Sequence, residues 1–213
     1  MKNRSNLLKT YIPIAIFGLL CLTSIGLTSV SGLTILFSIL YLFIENKRNK
    51  GKMEDVGFIR KNILSDIKKY WWLILIPAIS GIVAISLSIL FLPDFYLHVI
   101  ERTKPMLSFD KMLLLIPQLL ILAFGEEIAF RAFFQTKICN ITKPIWAIII
   151  TSLFFAIGHF SAGSISLVFY DLIFIFIDSV VYGIIYLRTK NVYTCTISHF
   201  LANFIGISIL LLI

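Results

Sequence analysis

Long apolar runs broken by short polar stretches make up most of this chain, and their lengths predict helices that cross a membrane. The first run spans Tyr11 to Thr28 and the second Val30 to Ile44, with Gly26 and Ser31-Gly32 marking a tight turn between them. The second is short for a full crossing, which predicts either a less tilted span or a tight hairpin with the first. Further runs cover Trp71–Leu92, Met112–Phe134, Ile145–Phe160, Ile165–Leu187 and Val192–Ile213. The expected fold is all-α: a polytopic transmembrane bundle of about seven spans. It becomes eight if the run Ile165–Leu187 breaks near Asp178-Ser179.

The breaks carry their own signals. Residues 45–70 form the longest polar stretch, in which Phe58, Ile59, Ile63, Leu64 and Ile67 recur every three or four positions among the charges. That pattern predicts an amphipathic helix on the inner leaflet, the alternative being a plain charged loop. Trp71-Trp72 then marks a membrane interface. Pro77 and Gly81 are the expected kink positions in the third run, and Pro117 in the fourth. The stretch 93–111 has mixed charge, including Asp110, and its His98 reads as loop decoration.

Composition agrees with this layout. The chain of 213 residues is 59% hydrophobic and 14% charged, whereas soluble domains are about 25% charged. The net charge of +8 does not point to nucleic acid, because the basic residues cluster in the breaks between runs, as in cytoplasmic loops. With seven spans, Lys2, Arg4, Lys9, the basic stretch 45–70, Lys137, Lys143, Arg188 and Lys190 share one side. Arg102, Lys104 and Lys111 lie on the other. The N-terminus is therefore expected in the cytoplasm. Splitting the sixth run would move Arg188 and Lys190 outside. Met1-Lys-Asn-Arg before an apolar run imitates a signal peptide, but the run is too long and lacks a clear cleavage site, so it reads as a retained span. Cys21, Cys139 and Cys195 are lone packing cysteines and suggest no disulfide framework.

Few polar side chains fall inside the runs: Glu126, Glu127, Arg131, His159, Asp171, Asp178, His199 and Asn203. Charges in hydrocarbon need partners or a wet cavity, so they mark a candidate site. Glu127 and Arg131 lie one helical turn apart and can pair, whereas Glu126 faces a different neighbour. At about 1.5 Å rise per residue, Glu126 and His199 lie roughly 12 Å into their spans and His159 roughly 20 Å. A glutamate, two histidines and an amide on three helices form a set suited to peptide hydrolysis. Glu126 can deprotonate a water, with His159 holding or sharing the proton. His199 and Asn203 can donate to the oxyanion. The same groups could instead hold a metal that activates the water. Structural readings compete: Glu127–Arg131 as a helix-locking pair, and His159 or His199 with Asn203 as inter-helix glue. Asp171 and Asp178 could line a cavity, bind Arg131 or mark a shorter span.

Three motifs in order carry a family resemblance: Glu126-Glu127-Ile-Ala-Phe-Arg131, Phe155-Ala-Ile-Gly-His159 and His199-Phe-Leu-Ala-Asn203. The stretch Gly183–Lys190 before the third adds to it. From about Ile116 to Ile205 the chain resembles the CPBP family, the CAAX-protease and bacteriocin-processing intramembrane proteases related to the Rce1-type CaaX endopeptidase. The resemblance implies an intramembrane endopeptidase with a catalytic core over residues 112–205 of a single membrane domain. It implies Glu126 and His159 as the water-activating pair, His199 and Asn203 as the oxyanion site, and Glu127 with Arg131 holding the geometry. Thr194 stands where the family often has proline.

No cofactor is the expected requirement, the alternative being a divalent metal such as zinc. Abundant Ile, Lys, Asn and Phe with few Arg suggest an AT-rich bacterial gene, and hence a multi-pass protein of a bacterial cell membrane. Its expected partners are the bilayer and a membrane-associated peptide or protein substrate. The competing function is a non-catalytic scaffold or bacteriocin-immunity protein that binds a peptide or membrane partner. A transporter is a weaker third reading.

Overall fold

Every regular element is helical in the computed structural model, which describes residues 2–23, 28–105, 107–109 and 111–212, and the side chains of these except 2–9, 28–31 and 112. The turn expected at Gly26 and the loop position Asp110 lie outside the described residues. Helices α1 (Lys2–Thr23), α2 (Thr28–Arg48) and α3 (Ile63–Phe91) occupy the first three runs. A short helix, α4 (Phe95–Thr103), precedes α5 (Met112–Glu127). The latter continues through a π-helical stretch, Ile128–Gln135, into the last turn α6 (Thr136–Cys139). Then come α7 (Pro144–Gly158), α8 (Ile165–Thr189) and α9 (Val192–Leu210). Among the described residues four helices are long and apolar enough to cross a membrane: Arg60–Phe91, Leu113–Cys139, Ile165–Thr189 and Val192–Leu210. Thr10–Thr23 and Pro144–Gly158 are shorter apolar helices. Several long apolar helices in one chain are the architecture of a multi-pass membrane protein.

Three expectations change, and one open alternative closes. Helix α2 is not short, because it runs on through Glu45 to Arg48. Lys137 of α6 makes that extension tenable, its Nζ lying 2.6 Å from Glu45 Oε2. The run 165–187 does not break at Asp178 but forms a single helix. The break in α3 falls at Tyr70 (φ −119°, ψ 17°), where the charged stretch meets the apolar run, rather than at Pro77. His98 is a buried residue of α4, not loop decoration. Within 45–70 the helical pieces are the end of α2, two 3₁₀ turns at Met53–Val56 and Arg60–Asn62, and the first turns of α3.

Local chemistry sets the helix ends that matter for the site. Pro144 opens α7 at a position where a missing N–H costs nothing. Lys190 ends α8 in a left-handed conformation (φ 52°), so α9 starts two residues later. Asn191 caps α9, its side-chain oxygen accepting the Tyr193 N–H at 3.2 Å. Its side-chain nitrogen donates to Asp66 Oδ2 at 2.8 Å and to the Ile59 carbonyl at 3.0 Å. The Thr194 hydroxyl donates to the same Asp66 oxygen at 3.1 Å. Gly57 completes the anchor: its carbonyl accepts the Val192 N–H at 2.8 Å. Its φ of 95° favours glycine, and a Cβ there would lie 2.9 Å from the Tyr186 hydroxyl.

Helix α9 packs against α3, α5 and α8. Ser198 on α9 donates to the Ile74 carbonyl of α3 at 2.8 Å. The second side of the bundle is aromatic: Phe17 of α1 stacks on Phe134 at 4.3 Å and meets Phe130 edge-on at 5.2 Å. Lipid tails are as apolar as these rings, so such packing and the buried polar links hold the helices together in place of water exclusion.

Candidate active site

The π stretch Ile128–Gln135 puts a wider i→i+5 turn directly after the two glutamates. All eight of its residues are buried. Thr136 caps it from below, donating to the Arg131 carbonyl at 3.1 Å. Arg131 and Glu127 are both 0% exposed, and Arg131 Nε lies 3.2 Å from Glu127 Oε2. This is an ion contact without hydrogen-bond alignment, since both atoms lack a hydrogen-bond partner. Arg131 is held instead by the Ser179 hydroxyl of α8 at 3.1 Å and by the faces of Phe155 and Tyr182, 4.9 and 5.5 Å from its guanidinium carbon. Placing a planar cation between two rings recovers electrostatic energy that the missing water would have supplied.

Glu127 turns its other oxygen to α9. His199 Nδ1 lies 2.9 Å from Glu127 Oε1, so Nδ1 carries a proton and donates it. The ring stacks on Tyr182 at 4.7 Å, and its Nε2 faces Glu126 Oε2 at 3.6 Å. His159 at the end of α7 arrives from another side. Its Nδ1 lies 2.8 Å from the Phe155 carbonyl, which can only accept, so the proton is again on Nδ1. His159 Nε2 faces Glu126 Oε2 at 3.8 Å. In their neutral forms both histidines thus point a bare nitrogen at one carboxylate oxygen of Glu126.

Glu126, His159, His199 and Asn203 line one cavity of about 110 Å³, with Phe155, Tyr182, Asp178 and Arg102 also in its wall. That volume admits water. The structure therefore brings the sequence-derived residues together: four on the cavity, and Glu127 with Arg131 buried behind His199. Among the described residues no three His, Cys, Asp or Glu side chains are grouped as a metal site.

Several contributors had no motif to announce them. Asp171 pairs with Arg102, not Arg131, at 3.0 Å from Arg102 Nε. His98 Nε2 lies 3.6 Å from the same carboxylate and 3.3 Å from the Ser161 hydroxyl. Asp178 lines the cavity, and its Oδ1 is buried without a hydrogen-bond partner. The intramembrane aspartates themselves were the signal; the partners of Asp171, Arg102 and His98, lie on α4, in a stretch that reads as a loop. Ser179 and Tyr182, the supports of Arg131 and His199, carry no signal in one sequence.

Residues 108–205 match the family described as Type II CAAX prenyl endopeptidase Rce1-like. All three motifs fall inside that segment, as the resemblance implies. No curated protein and no solved structure matches the chain. A match at this level suggests a CAAX-protease-like intramembrane hydrolase with a membrane-associated substrate.

Proposed function

We propose that the protein is an intramembrane endopeptidase that hydrolyses a peptide bond in a membrane-associated peptide or protein with a glutamate-activated water. The observation that carries this reading is the convergence of Glu126, His159, His199 and Asn203 on one small cavity. Glu126 Oε2 and His159 Nε2 are both acceptors, 3.8 Å apart on the cavity wall, and a water beside them can give up a proton there. The water oxygen bonds to the scissile carbonyl carbon as Glu126 takes that proton. The Asn203 amide donates to the resulting oxyanion, and His199 Nε2 joins it when the ring carries both protons. Glu126 or His159 then delivers the proton to the amide nitrogen, and the C–N bond breaks to leave a carboxylic acid and an amine. Glu127, ion-paired to Arg131, holds the His199 ring in register.

This set contains its own base and oxyanion donors, which favours a reaction without a metal; a divalent ion held by Glu126 and the two histidines is the competing reading. The helices coincide with seven apolar runs, which supports seven spans: α1, α2, α3, α5 through α6, α7, α8 and α9. The charge bias supports a cytoplasmic N-terminus, and the composition supports a bacterial cell membrane. Within this single membrane domain, residues 112–205 form the catalytic core.

The test is cleavage of a peptide library by the purified protein in nanodiscs, beside Glu126→Gln and His199→Ala. Cuts by the wild type and none by Glu126→Gln support the endopeptidase. Intact peptides throughout, bound equally by all three proteins, favour the scaffold or immunity role. Retained bound zinc, with activity lost to a chelator and restored by the ion, favours the metal.

A further inference from the structure

A second and larger cavity, about 340 Å³, lies on another face of α5 from the candidate active site. Phe124 and Ile128 line it, whereas Glu126 between them lines the smaller cavity. Its size falls within the roughly 300–1,000 Å³ of ligand pockets. Ile39, Leu42 and Phe43 of α2 form one wall, and Met53, Val56 and Phe58 of the following segment form another. Phe58, Phe124 and Tyr193 pack on one another with ring centroids 5.7–6.1 Å apart, giving the cavity an aromatic side. Only two of the lining residues, Arg60 and Tyr193, carry polar side-chain groups.

Two features say what fits. The first is position. The segment Met53–Arg60 joins the ends of two long apolar helices, so the cavity lies at the membrane boundary. Phe43, in its wall, is 56% exposed and its neighbour Ile44 66%, so this wall faces hydrocarbon. An acyl chain can therefore enter sideways from the bilayer. The second is charge. Arg60 is exposed and lies against Tyr193, its Nε 3.3 Å from the phenol oxygen. Among the described residues no carboxylate is within salt-bridge distance of it. The surrounding segment 47–61 has six cations, Lys47, Arg48, Lys50, Lys52, Arg60 and Lys61, against Glu54 and Asp55. Asp55 is turned back on the chain, accepting the Lys52 backbone N–H at 2.7 Å.

We propose that this cavity binds an anionic glycerophospholipid, one acyl chain among Leu42, Phe43, Val56 and Phe124 and the phosphate at Arg60. A zwitterionic lipid fits the apolar part equally well but leaves the excess positive charge unanswered. The cavity and the candidate site share α5, so an occupant touching Phe124 and Ile128 packs directly against the helix that carries Glu126. The site does not depend on the hydrolase reading.

The experiment is native mass spectrometry of the full chain, released from detergent after incubation with equal amounts of phosphatidylglycerol and phosphatidylcholine of matched chains. The expected result is one retained lipid, with phosphatidylglycerol in several-fold excess. Arg60→Gln should cut that excess about fivefold, the effect of one cation at an anionic headgroup. Val56→Trp should displace both lipids by filling the cavity; if it fails to fold, Met53→Phe from the same wall is read in its place. Lys50→Gln controls for general basicity and should change little. Equal retention of the two lipids by the wild type, or no retention, overturns the proposal. So does retention that survives the cavity-filling variant while Lys50→Gln lowers it as much as Arg60→Gln, because the lipid would then be adsorbed on the basic surface.

Discussion

His199 and Glu127, 72 positions apart in the chain, meet at 2.9 Å inside the bundle. The contact fixes which ring nitrogen is protonated and which faces Glu126. It also joins the first and third sequence motifs, through a carboxylate whose other oxygen lies beside Arg131. Replacing Glu127 with Gln keeps the shape but leaves Arg131 as an uncompensated buried charge. Breaking a buried pair in this way costs about 3–5 kcal/mol. Thermal unfolding of Glu127→Gln in detergent should therefore occur well below the wild-type temperature, with cleavage lost as well. An unchanged melting temperature would show that the pair contributes little.

Glu126→Gln should behave in the opposite way. Glu126 lines the cavity with a side chain 19% exposed, and its contacts to the two histidines are long. Removing its charge should leave the melting temperature within a degree or two. Turnover should fall by about 10²–10⁴, the usual contribution of a general base. Single-turnover cleavage beside a melting curve reads both quantities; residual turnover above a tenth of wild type would remove Glu126 from the role of base.

Asp66 anchors the start of α9 from outside the family match. It accepts from both Asn191 and Thr194, and hydrogen bonds to a charged group contribute about 1.5–3 kcal/mol each. Asp66→Ala should lower stability by roughly that amount or more and slow cleavage by shifting His199 and Asn203 together. Hydrogen exchange should rise first at the α9 N-terminus. Uniform exchange across the chain would argue against a local anchor.

Asp171→Ala should strand Arg102 at the cavity wall. Asp171 is 4% exposed and Arg102 Nε lies 3.0 Å from it, so the loss should be about 3 kcal/mol. The double variant Asp171→Ala with Arg102→Met should recover part of it, because the orphaned cation is gone. Melting curves of the two variants decide the point; no recovery would mean that the pair is not the source.

The all-helical class was legible from run lengths alone. The cavity residues were legible from charge inside apolar runs and from the spacings 126–131, 155–159 and 199–203. The single helix over 165–189 was harder to read, because Asp178 resembles a break until it is seen to face a cavity. Thr194 reads as a departure from a proline pattern, yet its hydroxyl satisfies Asp66, a contact no local spacing reveals. His98 was misread for the same reason: its partner Asp171 is distant in sequence. Ser179 and Tyr182 are ordinary helix residues until Arg131 and His199 are placed beside them.

The wide turn at Ile128–Gln135 amounts to a surplus residue accommodated within a helix. A version of the chain one residue shorter there could wind as an uninterrupted α-helix with better backbone geometry. Because the wide turn absorbs that residue, the flanks of the shorter chain would keep nearly the same phase, with Glu126 still toward the histidines and Phe134 still toward Phe17 of α1. The surplus acts on the turn itself, where it leaves the Arg131 carbonyl to Thr136 five positions on and sets the guanidinium against Ser179 of α8. The helix thus holds a local irregularity that its two ends hardly feel.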